Sequence, residues 1–176
     1  ESYMMIDSSS RKNLELTETI REGKKRGNLL WVLDKTMTAM GGRMLRKWIE
    51  QPLLDVDEIN KRLDAVEELK EKFMVRNEIM ELLKRVYDME RLSAKLIVGN
   101  VNGRDLISLK ASIGQIPAII DMIQGLSSEY CCDITSATDP LTDVYNIIDS
   151  AIADEPPLTI KEGGIIKSGY SAEVDS

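Results

Sequence analysis

LLWVLDKTMTAMGGRMLRKWIEQP, residues 29–52, is the stretch on which the fold turns. It reads as a short apolar helix, a polar break at Lys35-Thr36, and a second helix opened by Thr38 and stopped by Pro52. The Thr38 hydroxyl can accept a hydrogen bond from a backbone N–H one turn on, and Pro52 disfavours helical geometry in the residue before it. Between these signals Met40, Leu45, Trp48 and Ile49 gather on one face, with Arg43, Arg46, Lys47 and Glu50 mostly on the other. Gly41 and Gly42 would each cost about 1 kcal/mol relative to Ala in a helix interior. In a first turn the cost is smaller, and two missing side chains let another backbone come close. A helix with one apolar stripe is a packing element and needs partners.

The partners follow downstream. Asp55 and Glu58 make a D-x-x-E start of the capping-box kind. Apolar residues then fall at Ile59, Leu63, Val66, Leu69 and Phe73, and again at Ile79, Leu82, Leu83 and Val86, with charged residues filling the other face. Whether Phe73–Asn77 divides this run into two helices stays open. Asp88 caps the next helix, whose stripe is Leu92, Leu96 and Ile97, and Gly99 stops it. Asn102-Gly103 marks a turn before Leu106, Leu109 and Ile113. Pro117 sits near the start of the following turn, and Ile119, Ile120 and Ile123 carry the apolar face to Gly125. Ser127–Asp139 is polar and reads as loop. Asp139-Pro140 then supplies a cap and a first-turn proline for Leu141, Val144, Ile147, Ile148, Ala151 and Ile152, and Glu155-Pro156-Pro157 ends that helix.

Upstream, Tyr3–Leu16 alternates in part and suggests a strand pair, or two short extended segments, around a polar turn at Asp7–Arg11. Two strands alone are marginal, so they must lie against the helices. The fold class expected is all-α, a multi-helix bundle with a small N-terminal β element, forming a single domain over residues 1–176. Ile160–Ser176, with Gly163-Gly164 and Gly169-Tyr170, reads as a hairpin or an irregular hinge.

Composition bounds the chemistry. The 176 residues are 43% hydrophobic and 30% charged, which suits one domain with a real core. Only 5% are aromatic, so aliphatic side chains and nine Met must fill it. Trp31 and Trp48 fall in apolar stripes and are expected in the core. No apolar run approaches the roughly 20 residues of a membrane helix, and the expected compartment is the cytoplasm. A start without Met and an end at Val-Asp-Ser lead us to expect a segment of a longer protein. Net charge is −7, distributed as +3 over residues 1–52, −2 over 53–126 and −8 over 127–176. Phosphate neutralisation requires clustered Lys and Arg, and only Arg21–Arg26 and Arg43–Lys47 offer clusters. Mixed-charge surfaces are ordinary, so the favoured reading of the two clusters is a solvated loop and a solvated helix face.

Catalysis has little to work with. There is no histidine, the commonest general base. Cys131-Cys132 are adjacent, a poor geometry for a disulfide, and two thiols do not complete a four-ligand zinc site. GKKRG at 23–27 lacks the ordered residues of a phosphate loop, since no Ser or Thr follows its Lys.

The run LDKTMTAMGGRMLRKWIEQPL resembles the core-domain signature of the MutS family, the DNA mismatch-repair ATPases. YMMIDSSSRKNLEL (3–16), DEINKRLDAVEEL (57–69), YDMERLSAKLIVG (87–99), NGRDLISLKASI (102–113) and IKEGGIIKSGYSAEVDS (160–176) are similar to successive parts of the same domain, in the same order. The resemblance implies a core domain linking the mismatch-reading and clamp regions to a C-terminal ATPase, with 160–176 as a hinge toward the clamp. It implies ATP and magnesium, DNA, dimerisation and contacts with sister domains for the parent. For this chain it implies no catalytic, cofactor-binding or metal-binding residue, because neither a Phe-x-Glu mismatch reader nor a Walker A motif is present. Candidate hinge residues are Gly41, Gly42, Gly163 and Gly164, with Asn102-Gly103 beside them, although tight turns or close packing are the favoured explanation for any single pair. A second reading is a stand-alone helical module binding protein or DNA backbone, with Arg43, Arg46 and Lys47 as its DNA face. Steep salt dependence would mark such a module.

Overall fold

The helix signals are met in order along the chain of the computed structural model, which describes residues 2–21 and 23–175. The helices are α1 Ser8–Asn13, α2 Leu29–Leu33, α3 Ala39–Glu50, α4 Val56–Glu71, α5 Phe73–Leu83, α6 Met89–Ile97, α7 Gly103–Ile113, α8 Ile116–Gln124, α9 Glu129–Ala137 and α10 Thr142–Ala151. A 3₁₀ turn, Ile160–Glu162, follows. Thr38 caps α3 by accepting from the Gly41 amide at 3.0 Å. Asp55 caps α4 through the amides of Asp57 and Glu58 at 2.9 and 3.2 Å. Asn102 caps α7, accepting from the Asp105 amide at 2.8 Å while its own amide donates to the Asp105 carboxylate at 3.3 Å, so the turn expected there is a full capping box. Lys72, with φ −84° and ψ 56°, leaves helical geometry and separates α4 from α5. The run around Phe73 is therefore two helices.

Two cores form. Leu92, Leu109, Ile113, Ile148, Ala151 and Ile152 make one, between α6, α7 and α10. Ala65, Leu126 and Cys131 make the other, joined by Leu69, Val75, Ile123 and Tyr130 from α4, α5, α8 and α9. The α7–α8 step through Gly114-Gln115 links them. Ser112 is fully buried in the first core with its hydroxyl satisfied twice, donating to the Ser108 carbonyl at 2.9 Å and accepting from the Tyr87 amide at 2.8 Å. A buried hydroxyl without such partners would be costly.

Several expectations are corrected. Among the described residues no strand pair forms over Tyr3–Leu16; the only pairing there is an isolated antiparallel bridge from Tyr3 to Leu53. The polar run at 8–13 is instead α1, because the Asp7 carboxylate accepts from the Ser10 amide at 3.0 Å and the Ser10 hydroxyl at 2.6 Å and caps a helix. Leu16 is buried, but Leu14 is 63% exposed. The loop expected over Ser127–Asp139 contains α9. The last helix begins at Thr142, two residues later than its proline suggests, because Asp139 accepts from the Leu141 amide at 2.8 Å and Leu141 takes φ 54°. Trp31 is 49% exposed and Trp48 half-buried, so neither lies in the core. One stretch, Gly103–Gln124, is long and apolar enough to cross a membrane by length and composition. It is broken into α7 and α8, whose apolar residues serve the two cores.

The surface is large. The accessible area is 12190 Å² for 19.8 kDa, against roughly 8,600 Å² for a folded monomer of that mass. Val56, Leu63, Val66, Phe73, Ile97 and Ile147 are each more than half exposed. Such faces mark contact surfaces.

Candidate functional site

Helix α3 ties the two cores together. At its N-terminal end Arg43 lays its guanidinium against both acids at the start of α6. It donates to Asp88 at 2.9 and 2.7 Å and to Glu90 at 2.9 and 2.6 Å. Asp88 is also the N-cap of α6, accepting from the Arg91 amide at 3.2 Å. The Arg43 guanidinium holds the Asp88 carboxyl below its usual range, and Asp88 and Glu90 raise Arg43 above its own. Arg43 is still 49% exposed, so the joint is screened by water and salt.

Five residues on, about 7.5 Å along the helix axis, Trp48 faces the other core. Its ring takes the Arg62 guanidinium of α4 at 3.7 Å from the centroid and meets Tyr130 of α9 edge-on, with centroids 6.4 Å apart at 76°. A cation over an indole face gains roughly 0.5–2 kcal/mol, more as water is excluded.

The predicted cationic face is thus largely committed. Arg43 is held by α6, and Arg46 pairs with Glu50 one turn on at 3.0 Å. Lys47 is exposed and has no ion pair among the described residues. Of the glycines, Gly41 and Gly42 sit in the first turn of α3, where Thr36 packs closely: a Cβ on Gly41 would lie 3.4 Å from the Thr36 Cβ. Gly163 and Gly164 have φ of 72° and 71° with open space around them. Gly103 is a close approach: a Cβ there would lie 2.7 Å from the Pro156 Cβ. The chain after the 3₁₀ turn returns to the end of α10, where Ala153 donates to the Ile165 carbonyl and Lys167 to the Ala151 carbonyl, both at 2.8 Å.

Sequence reasoning missed Glu68. From α4 its carboxylate accepts from the amides of Ser127 and Ser128 at 2.7 and 2.8 Å, in front of α9. Lys72, one turn on, bonds Glu68 at 2.9 Å and the Gly125 carbonyl behind α8 at 3.1 Å. Anion before a helix start and cation behind a helix end both match the helix dipoles. The Ser127 amide first, then Lys72, hold the Glu68 carboxyl far below its usual range. A carboxylate depressed on folding contributes stability that is present above its unfolded pKa and lost as pH falls through the folded value. Thermal stability should therefore hold from neutrality to about pH 5 and fall below about pH 4. Glu68→Gln should lower the neutral-pH melting temperature and flatten that acid limb, whereas Glu67→Gln changes neither; identical melting curves for the two variants would refute the staple.

The family model for MutS domain III matches residues 9–175. The chain belongs to that family. Proteins named DNA mismatch repair protein MutS from Ruminiclostridium cellulolyticum and Acetivibrio thermocellus are 63% and 58% identical over 175 residues, 99% of this chain and 20% of theirs. Another from Lachnoclostridium phytofermentans is 53% identical over 174 residues. The MutS domain III described here thus spans about a fifth of the length of the curated relatives it matches.

The nucleotide and magnesium implied for a MutS parent find no cradle in residues 23–27. The amides of Gly23 and Lys24 are already donated to the Thr19 carbonyl and hydroxyl, at 3.0 and 3.1 Å. Cys131 and Cys132 are free thiols, one buried and one exposed. Among the described residues no three His, Cys, Asp or Glu side chains gather as metal ligands.

Proposed function

We propose that this MutS domain III is a mechanical relay in a DNA mismatch-repair ATPase, passing conformational change between DNA-contacting regions and a nucleotide site elsewhere in the parent chain. The parent binds ATP and magnesium, dimerises and works on DNA in the cytoplasm. This domain contributes rigid helices and joints, and no catalysis. The observation that carries the reading is the double anchoring of α3, at Trp48 to the α4–α9 core and at Arg43 to the start of α6. A relay needs an element with alternative arrangements that both sites can bias. A half-exposed ion-pair joint, screened by water and salt, opens at little cost while the Trp48 end holds. Gly163 and Gly164, left-handed and unobstructed, suit a hinge toward the clamp. Among the described residues, the stand-alone DNA-module reading has Lys47 as its one unpaired cation on α3, since Arg43 and Arg46 pair with carboxylates.

The test uses a full-length MutS protein carrying this domain, with Asp88→Asn and Arg43→Met. Asparagine caps a helix as well as aspartate, so Asp88→Asn removes the charge and keeps α6. Mismatch-stimulated nucleotide exchange should fall by up to about fivefold, the lower end of ordinary coupling energies, with mismatch affinity and basal ATPase turnover unchanged. Undiminished stimulation in both variants overturns the relay.

A further inference from the structure

Helices α5 and α8 pack side by side, and the seam between them opens into a groove of about 490 Å³. On α5 its lining runs from Met74 at i, i+3, i+4, i+7 and i+8, which is one side of a helix. On α8, Ala118, Asp121 and Met122 repeat that spacing. Other sides of the same helices, at Val75 and Ile123, already pack in the second core, so the groove is a further apolar face. Met74, Leu82, Ala118 and Met122 supply its apolar surface, and Met74 is 61% exposed. Its charge is acidic. Glu78, Glu81 and Asp121 line it against one cation, Arg85. Glu81 is met by Lys84, whereas Glu78 and Asp121 are exposed and have no ion pair among the described residues.

We propose that this groove binds a short basic amphipathic helix of a separate protein, with aliphatic side chains against Met74, Leu82 and Met122 and Lys or Arg beside Glu78 and Asp121. Helices dock in grooves through anchors at i, i+3, i+4 and i+7, and methionine, unbranched and polarisable, adapts to differing anchors. Opposite charge steers the encounter and rejects wrong partners, so a phosphate backbone is repelled here. Size and charge together point to a separate, reversible partner. Nine residues line the groove, fewer than half of the roughly 20–30 per side in a standard interface. Met74 to Leu82 covers about 12 Å of helix axis, which about two to three turns of a partner helix fill. Permanent interfaces are more apolar, and their centres shed charged residues, whereas three carboxylates line this groove. The inference does not depend on the relay, because no α3 residue lines the groove.

The test places the photocrosslinking residue p-benzoylphenylalanine at position 74 of a full-length MutS protein carrying this domain, and maps the products by mass spectrometry. The probe is a synthetic helix of about four turns with Leu at i, i+3, i+4 and i+7 and Lys elsewhere, and its control carries Glu in place of Lys. The Lys peptide should be captured at position 74 with a yield that falls as salt rises, and the Glu peptide should not be captured. Glu78→Lys with Asp121→Lys should cut capture at least about fivefold, since like charges across a contact are costly. Glu78→Gln with Asp121→Asn should give a smaller loss. The same charge reversal at Asp64 and Glu67, exposed and outside the groove, should leave capture unchanged. Equal capture of the Glu peptide, or a yield indifferent to the charges at 78 and 121, overturns the proposal. So does a product that joins position 74 to a second copy or to the parent chain outside residues 1–176.

Discussion

Truncation of Ile113 to alanine is expected to destabilise the domain by about 2–5 kcal/mol, the range for deleting a buried isoleucine side chain. Ile113 is 2% exposed and stands among Leu92, Leu109 and Ile148, so three helices border the space it fills. Such a space closes poorly, because each helix is held by its other contacts and a cavity remains. Urea unfolding should show a lower midpoint with an unchanged slope. Leu96→Ala, at a position 49% exposed, is the control and should cost far less. Hydrogen exchange should place the loss in α6, α7 and α10 and leave α4 and α9 protected, because the two cores share few buried residues. A midpoint shift equal to that of Leu96→Ala, or loosening spread evenly over both cores, would contradict this architecture.

Gly103→Ala is expected to destabilise by about 1–3 kcal/mol through overpacking. The sign is informative, because two general effects run the other way. Alanine is the better helix former, and it lowers the entropy of the unfolded chain by an amount worth about 0.4–1 kcal/mol. Sterics win here because the added Cβ would meet the Pro156 Cβ at 2.7 Å and the Ile165 Cγ2 at 3.2 Å. A proline ring has no flexible end to swing away. Gly125→Ala, whose Cβ would approach only the Met122 carbonyl at 3.4 Å, should be neutral or slightly stabilising. If Gly103→Ala instead raises stability, Gly103 is not a packing contact and the hinge reading at Asn102-Gly103 regains its footing.

These two positions also divide what could be read early from what could not. Ile113 was legible, because its spacing from Leu106 and Leu109 places it on one helix face and burial follows from that face. The caps at Thr38, Asp55 and Asp88 were legible for the same local reason, since each bond closes within three residues, whereas Asn102 was read only as a turn. The MutS signature at 33–53 was legible as a pattern of residue types in order. Gly103 was read as a turn because nothing local says that Pro156, 53 positions later, lies against it.

The candidate face of Arg43, Arg46 and Lys47 shows the limit most clearly. Charge type and helical phase put these residues on one side of α3, and that much is periodicity. Their partners are a matter of folding: Asp88 and Glu90 are more than 40 residues away and reach Arg43 only once α6 is in place. Helix α9 was missed because its start is braced by Glu68 from another helix and not by a cap of its own. Local chemistry specifies where helices begin, which side is oily and which family the pattern matches, because those interactions span a turn or less. Which charges remain free, which glycines are crowded and which grooves stay open depend on contacts between distant segments, which exist only after the chain has packed.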